Sequence, residues 1–212
     1  MLFHCPPALK LFLKLNNIQM RTLLLYIVLN ATLFSTEAQI LDGTLDVTGL
    51  PNFIQSFEDV IKEAGLDDST LGFESEVDAN LISFILDPVL IVPSSTVCTG
   101  NIFRYSLYMH TENSPQNVKI SARTTSNSGF RFPASIPYDL LIIKPLGPRD
   151  LQPTNGGNYI EIPNDGTQAI KILEFVGCRT DIPIQFKIEA SALAPAGVSN
   201  FNISYTIVGS VL

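Results

Sequence analysis

Apolar and polar residues alternate along the last part of the chain. Within residues 200–212, NFNISYTIVGSVL, the large apolar side chains stand at every second position: Phe201, Ile203, Tyr205 and Ile207. Successive side chains of a strand point to opposite faces of a sheet, so this spacing predicts a strand with one face on a core. The chain is therefore expected to end on a strand that is a full member of a sheet.

The same alternation recurs in three earlier stretches, at residues 101–111, 117–124 and 182–193. Residues 79–93 and 136–145 are more continuously apolar, which predicts strands that are buried more completely. Because residues 112–116 (ENSPQ) form a short polar connection, the two stretches on either side of it are predicted to pair as a hairpin.

One stretch, residues 51–69, has the period of a helix instead. Its apolar residues recur at three- and four-residue spacings, Pro51 stands at the expected first turn and Gly65 at the expected end. This pattern predicts one amphipathic helix within an N-terminal segment of residues 39–78.

About nine strands separated by turn residues, with one helix before them, predict an all-β fold. We expect an antiparallel, immunoglobulin-like β-sandwich of about 7–9 strands, preceded by a short helix-containing segment. The predicted organisation is a leader at residues 1–38, the N-terminal segment at 39–78 and the sandwich at 79–212.

The leader is predicted from residues 20–39, MRTLLLYIVLNATLFSTEAQ. Arg21 precedes an apolar stretch, and Ala38 offers a small residue before a cleavage site at Gln39, as in a secretory signal peptide. The uninterrupted apolar run 23–29 is far shorter than the about 20 residues that a membrane-spanning helix needs. We therefore expect a secreted or cell-surface (extracellular or periplasmic) protein without a membrane span, translated from Met20 or from Met1.

Two cysteines, Cys98 and Cys178, remain after such a cleavage. An even number in an exported protein predicts one disulfide, with two buried free thiols as the alternative. In the chain-entropy model a loop of this length stabilises the fold by about 4 kcal/mol. With His110 as the single remaining histidine, these residues cannot supply four metal ligands, so we expect no metal site and no cofactor.

Charge and motifs narrow the classes of function. The chain has a net charge of −7, and the predicted mature part carries 10 basic against 19 acidic residues without a basic run. We therefore expect no nucleic-acid partner. The chain contains neither a phosphate-binding glycine loop nor a GxSxG nucleophile motif, so we predict no catalytic residues and a protein that is not an enzyme.

Exposed aromatic side chains can form flat platforms for sugars, and Tyr105, Tyr108 and Tyr159 are candidates for such contacts. The alternative is that these tyrosines lie at the margin of the core with their hydroxyl groups in water. Glycans are accordingly a possible class of ligand.

Three short motifs carry a resemblance to a known class of proteins. Residues 113–124 (NSPQNVKISART), 136–142 (IPYDLLI) and 195–207 (PAGVSNFNISYTI), together with the leader that ends in Ala38-Gln39, resemble segments of exported bacterial surface β-sandwich proteins, including fimbrial (pilin-like) subunits. The resemblance implies a structural or adhesive role, with protein partners or self-assembly at the cell surface.

The resemblance also implies a way of assembling. In a pilin-like fold the last strand flanks a groove that a donor strand completes, held by backbone hydrogen bonds and alternate side chains. The donor residues would be Leu41, Gly43, Leu45 and Val47 in the weakly alternating stretch 39–50. Two other functions stay open: a soluble secreted ligand-binding module, for example for carbohydrate, and a more distant carboxylate-based secreted hydrolase.

Overall fold

A computed structural model describes residues 42–49, 53, 73–191 and 193–210 of the 212-residue chain. They belong to one compact unit that spans residues 40–212. The predicted leader, Leu41 and the predicted helix at 51–69, apart from Phe53, lie outside the described residues.

Antiparallel strands dominate the described residues. In chain order the elements are β1 (Gly43–Thr48), β2 (Phe73–Glu74), β3 (Leu81–Leu86), helix α1 (Ser94–Gly100), β4 (Arg104–Glu112), β5 (Val118–Arg123), β6 (Phe130–Phe132), a 3₁₀ helix (Pro137–Leu140), β7 (Gln152–Pro153), β8 (Ile160–Glu161), β9 (Ile170–Val176), β10 (Cys178–Pro183), β11 (Gln185–Ala190) and β12 (Asn202–Ser210).

The strands form three sheets, with the orders β1-β3-β10-β6, β2-β11-β5-β8 and β12-β4-β9-β7. Strands β10 and β11 are consecutive and separated only by Ile184, so the first two sheets continue each other as one layer. Phe84 of this layer lies 4.6 Å from the ring of Tyr105 and 6.3 Å from the ring of Phe175, both in the third sheet. The predicted all-β sandwich is confirmed, while an immunoglobulin-like strand order stays a prediction.

The core follows the predicted alternation. Every second residue of β3 is buried, and β4 and β11 behave alike. Each such apolar side chain contributes about 1.5–3 kcal/mol when it leaves water, so the two facing layers hold each other. The buried set from these strands is Ile82, Phe84, Leu86, Tyr105, Leu107, Met109, Phe186 and Ile188.

The predicted hairpin between residues 101–111 and 117–124 is wrong. Strand β4 pairs with β12 and β9, whereas β5 pairs with β11 and β8. The connection at residues 112–116 therefore carries the chain from one layer to the other. Its polar residues indicated a turn, but a turn alone does not determine which strands pair.

The buried strand predicted at residues 136–145 is also wrong. Pro137 and the three residues after it form the 3₁₀ helix, and its last residue and the apolar residues that follow stand in solvent. Proline fixes φ and lacks an amide proton for a ladder, which favours this turn. Leu140, Ile142 and Ile143 are among the most exposed apolar side chains that the structure describes.

Cys98 and Cys178 form the predicted disulfide, with their Cα atoms 5.7 Å apart. Both residues are buried, Cys98 in α1 and Cys178 at the first position of β10. The bond therefore attaches the helix to the sandwich across 80 positions of sequence.

Candidate functional site

One side of the sandwich is formed by the edges of two sheets. Strand β1 is the first member of its sheet and β12 the first member of the opposite sheet. Both edges lie on the same side of the sandwich, because Asn80, just before β3, contacts Gly49 after β1 and Tyr205 of β12. Within the described part of the chain, neither strand has a second neighbour in its sheet. An unpaired strand edge is a template for pairing with another chain.

Strand β1 carries three of the four predicted donor residues. Gly43, Leu45 and Val47 lie opposite Leu86, Phe84 and Ile82 of β3, so the strand pairs within its own chain. Leu45 packs against the core, while Val47 is 36% exposed. Leu45 is thus the one apolar side chain of β1 that the structure places on the core.

Gly43 is required by the close approach of β1 to the core. A Cβ at this position would stand 2.6 Å from Cζ of Phe84, well inside any van der Waals contact. Any side chain here would therefore have to displace either the Phe84 ring or the first residues of β1.

Strand β12 is longer and more deeply attached. It pairs with β4 over nine residues, from Asn202 opposite Glu112 to Ser210 opposite Arg104. The alternation predicted for this stretch is confirmed. The side chains on its inner face pack against the core, together with the residue before the strand: Phe201, Ile203, Tyr205 and Ile207.

The side chain of Asn80 connects the two edges. Its Nδ2 donates to the carbonyl oxygen of Gly49, just after β1, at 3.0 Å, and its Oδ1 accepts from the Tyr205 hydroxyl of β12 at 3.2 Å. Burial raises the pKa of Tyr205 to about 12, and the Asn80 hydrogen bond opposes that shift. Asn80 is buried, and a lone asparagine before an apolar run gave no signal of this role.

The three candidate tyrosines do not form one platform. Tyr105 is 1% exposed and accepts a hydrogen bond from Asn101 Nδ2 at 2.9 Å, so it belongs to the core and offers no surface to a ligand. Tyr108 is half-buried on the outer side of β4. Tyr159 lies just before β8, in the other layer. The prediction of Tyr105 as a surface aromatic was wrong, because the alternation of β4 places it on the same buried face as Leu107 and Met109.

Tyr159 lies within a cluster of charged and polar side chains. The Arg123 guanidinium carbon stands 4.5 Å from the centre of its ring and Lys187 Nζ 5.9 Å. Arg123 also donates twice to Gln185 Oε1, at 2.9 and 2.8 Å, and lies 3.9 Å from Glu74. Burial raises the pKa of Tyr159 to about 12, with the positive charge of Arg123 opposing and the negative charge of Glu74 adding to the shift.

His110 and one open pocket bear on the alternative of a secreted hydrolase. His110 lies 3.6 Å from Glu112 and opposite Ser204, on the outer side of the β4–β12 pair. A shallow, open pocket of about 330 Å³ is lined by Glu161, Pro163, Gln168, Ala169 and Ile170. Glu161 is its one carboxylate, so this pocket does not bring together the acid pair that a carboxylate-based hydrolase needs. Among residues 73–191 and the other described positions, no three histidine, cysteine or acidic side chains cluster as metal ligands.

No family model, curated protein or solved structure matches this chain. None of the helices in the described part is long and apolar enough to cross a membrane. The function therefore has to be inferred from the two sheet edges and from the cluster around Tyr159.

Proposed function

We propose that this is an exported, non-enzymatic β-sandwich protein with a structural or adhesive role at the cell surface. In the more specific form of the proposal it is a fimbrial-type subunit that exchanges β1 with a neighbouring copy. The observation that supports this form is the attachment of β1: main-chain pairing to β3, with Leu45 as its single side chain on the core.

The segment that follows β1 is long enough for an exchange of this strand between copies. With the predicted helix at 51–69 kept and the other residues extended, the segment from residue 49 to the start of β2 at residue 73 has a reach of roughly 45 Å. Strand β1 can therefore leave its own β3 and reach another copy while the rest of the sandwich keeps its contacts. Exchange of an identical element between copies conserves the contacts of the single chain, so it costs little.

The disulfide supports an oxidising compartment. Bonds of this kind persist in secreted and periplasmic proteins and are rare in the cytosol. Together with the predicted signal peptide, the Cys98–Cys178 bond favours a position outside the cytoplasm. Partners are then other copies or other proteins of the cell surface.

A pair of engineered disulfides tests the exchange. Asp46 and Ser83 are opposite each other in the β1–β3 pair, so Asp46→Cys with Ser83→Cys ties β1 to its own chain. Ser106→Cys with Val208→Cys ties β12 to β4 and is the matched control. The mass of each protein is measured by light scattering over a concentration series, after intact-mass analysis has shown the new bond.

We expect the unmodified chain and the β12 control to form multiples of the subunit, and the β1-locked variant to stay a monomer. An unmodified chain that is monomeric at every concentration contradicts self-assembly. Assembly that persists in the β1-locked variant contradicts exchange of β1, and it would mean that the copies associate through another surface.

A secreted ligand-binding module is the second candidate, and the cluster around Tyr159 favours it. An aromatic ring beside a cation and an amide is a combination that carbohydrate sites use. If the cluster around Tyr159 binds glycans, we expect Tyr159→Ala to abolish binding on a glycan array. Tyr108→Ala, on the other layer, is the control. Equal binding by both variants contradicts it.

A further inference from the structure

Two loops carry a concentration of exposed apolar side chains. The first is the turn Val89–Val92, in which Leu90 is 98% and Ile91 96% exposed. The second is the segment 140–143, with the sequence Leu-Leu-Ile-Ile, in which Ile142 is fully exposed. We call these two segments the apolar tips. Clusters of exposed large apolar side chains are a feature of interaction and membrane sites.

Both apolar tips stand at the same end of the sandwich. The first follows β3 directly and leads into α1, which the disulfide joins to Cys178. Cys178 pairs with Phe132, the last residue before the segment that leads to the second tip. Strand β1 also begins at this end, because Gly43 lies opposite Leu86. Residue 42, where the described part of the chain begins, therefore lies at the end that carries the apolar tips.

The first tip has an unfavourable residue at its turn. Val89 and Val92 exchange backbone hydrogen bonds of 3.1 and 2.8 Å, which leaves Leu90 and Ile91 as a two-residue turn. Leu90 has a φ of +53°, a region in which glycine or asparagine is preferred and a leucine is strained. A residue that is costly at this position and fully exposed is poorly explained by folding alone.

The second tip is held on a rigid polar base. The Tyr138 hydroxyl donates to the carbonyl oxygen of Gly147 at 2.9 Å and accepts from the Leu146 amide at 3.0 Å. Asp139 accepts from Nη1 of the fully buried Arg149 at 2.9 Å. The segment between these anchors is thus fixed as a projection from the domain.

Asp139 is ionised in these contacts. Burial acts to raise the pKa of the Asp139 carboxyl, but hydrogen bonds from the Ile136 amide and Arg149 and the charges of Arg149 and Arg131 lower it below its ordinary value. The base therefore stays charged and paired at neutral pH.

We propose that the apolar tips insert into the interface of a lipid bilayer. Side chains that project with nearly complete exposure suit a fluid hydrocarbon boundary, whereas a folded partner would need a groove or a flat face to pack against. Charge adds no preference at this end. Arg131 and Arg149 pair with Asp150 and Asp139, and the acidic Asp87 stands two residues before the first tip. Zwitterionic and anionic bilayers are therefore both tested.

The proposed insertion is independent of strand exchange. The edges that assemble in the proposed function run along the side of the sandwich, whereas the apolar tips stand at one end. Failure of either proposal therefore leaves the other intact.

The absence of tryptophan from the chain gives a clean test. Leu90→Trp and Ile142→Trp each place a single tryptophan at one apolar tip, and Val198→Trp places one at a 97% exposed position between β11 and β12, at the opposite end. The full chain, exported by a bacterial host and with its N-terminus identified by mass spectrometry, is mixed with vesicles of phosphatidylcholine or of phosphatidylcholine with phosphatidylglycerol. Tryptophan emission and its quenching by brominated acyl chains are then measured.

A second set of variants measures the contribution of the apolar tips to binding. One variant combines Leu90→Ser, Ile91→Ser, Ile142→Ser and Ile143→Ser, and its control combines Leu193→Ser and Val198→Ser, which are equally exposed apolar positions at the other end. Vesicle flotation gives the partition coefficient of each. Because all six positions are exposed, the variants are expected to keep the fold, which circular dichroism checks.

We expect blue-shifted, quenched emission from the two tip tryptophans, unshifted emission from Val198→Trp, and a loss of partitioning of at least about tenfold in the tip variant. Flotation that is equal in the tip variant and its control overturns the proposal, since a retained leader or another surface would then bind the lipid. Absence of binding to either vesicle overturns it too. A chain that dimerises in solution through the same residues and ignores vesicles assigns the apolar tips to a second copy instead, which also overturns it.

Discussion

Strands β1 and β12 occupy equivalent positions, each at the edge of one sheet on the same side of the sandwich, but they are attached very differently. Strand β1 pairs over six residues and places Leu45 on the core. Strand β12 pairs over nine residues, and its inner face places Ile203, Tyr205 and Ile207 there. Main-chain pairing is common to both strands, so their side chains decide which of them is fixed.

The two strands therefore differ in the free energy that their removal from the sandwich costs. The free energy of burying apolar area grows with the number of side chains, at roughly 25 cal/mol per Å². Removal of β12 exposes several apolar side chains and the edge of β4, whereas removal of β1 exposes Leu45 and the edge of β3. We therefore expect β1 to open locally and β12 to open only when the whole domain unfolds.

The largest effect is expected from removing the central side chain of β12. Tyr205→Ala deletes a packed ring and its hydrogen bond to Asn80, and should lower the free energy of unfolding by about 3 kcal/mol. Urea denaturation measures the change. Leu45→Ala in β1 is compared with Ile207→Ala in β12, because the two substitutions remove core-facing side chains of equal size. An equal or larger loss for Leu45→Ala would show that the two edges are not attached as described.

Asn80→Ala should have the second-largest effect and lower the free energy of unfolding by about 2 kcal/mol. The carbonyl oxygen of Gly49 and the hydroxyl of Tyr205 both lose their hydrogen-bond partner. The substitution removes the link between the two edges. In a double-mutant cycle with Tyr205→Phe, we expect the two losses to be less than additive. Additive losses would mean that Asn80 serves β1 alone.

Gly43→Val should act on β1 and spare β12. The added Cβ meets the Phe84 ring, which overpacks the edge and costs about 1–3 kcal/mol in a rigid core. Since β1 is the weaker strand, we expect it to be displaced and the global free energy of unfolding to fall by the lower figure of about 1 kcal/mol. Faster amide exchange limited to β1 would agree with this, and faster exchange throughout the sandwich would not.

The last prediction is a pH dependence to which Tyr205 of β12 contributes, and which acts only at high pH. The pKa of Tyr205 rises from 10.0 in its ordinary state to about 12 in the fold. The folded state therefore holds the proton more tightly, and this stability is complete below pH 10 and lost as the pH rises toward 12. We expect the free energy of unfolding of Tyr205→Phe to fall less steeply with pH over this range than that of the unmodified chain. Identical slopes for Tyr205→Phe and the unmodified chain would contradict the assignment.

The sequence predicted the strands well where alternation or a continuous apolar run was long, as in β3, β4, β11 and β12. The pattern reports burial of one face, and it carries no information on partners, so β4 and β5 were wrongly paired across a polar turn. It also missed α1, a helix of seven residues whose N-cap is Pro93 and which has no side-chain cap, so the sequence carries no start signal for it.

The apolar run at residues 140–143 shows the second limit of the pattern. Composition favours burial for four such residues, and the structure exposes them. Their exposure depends on Tyr138, Asp139 and Arg149, whose contacts join positions up to ten residues apart that no local pattern connects. The candidate edges are a similar case: residues 41–47 were singled out by resemblance, but their pairing with β3 needed the three-dimensional structure.

Native-state amide hydrogen exchange tests the central claim most directly, because it measures the opening of β1 and β12 within one molecule. The amides that pair β1 with β3 should exchange through a local opening, with a free energy several kcal/mol below that of the amides that pair β12 with β4. The amides of β12 should exchange at the free energy of global unfolding. Equal protection of the two strands, or lower protection of β12, would contradict the account.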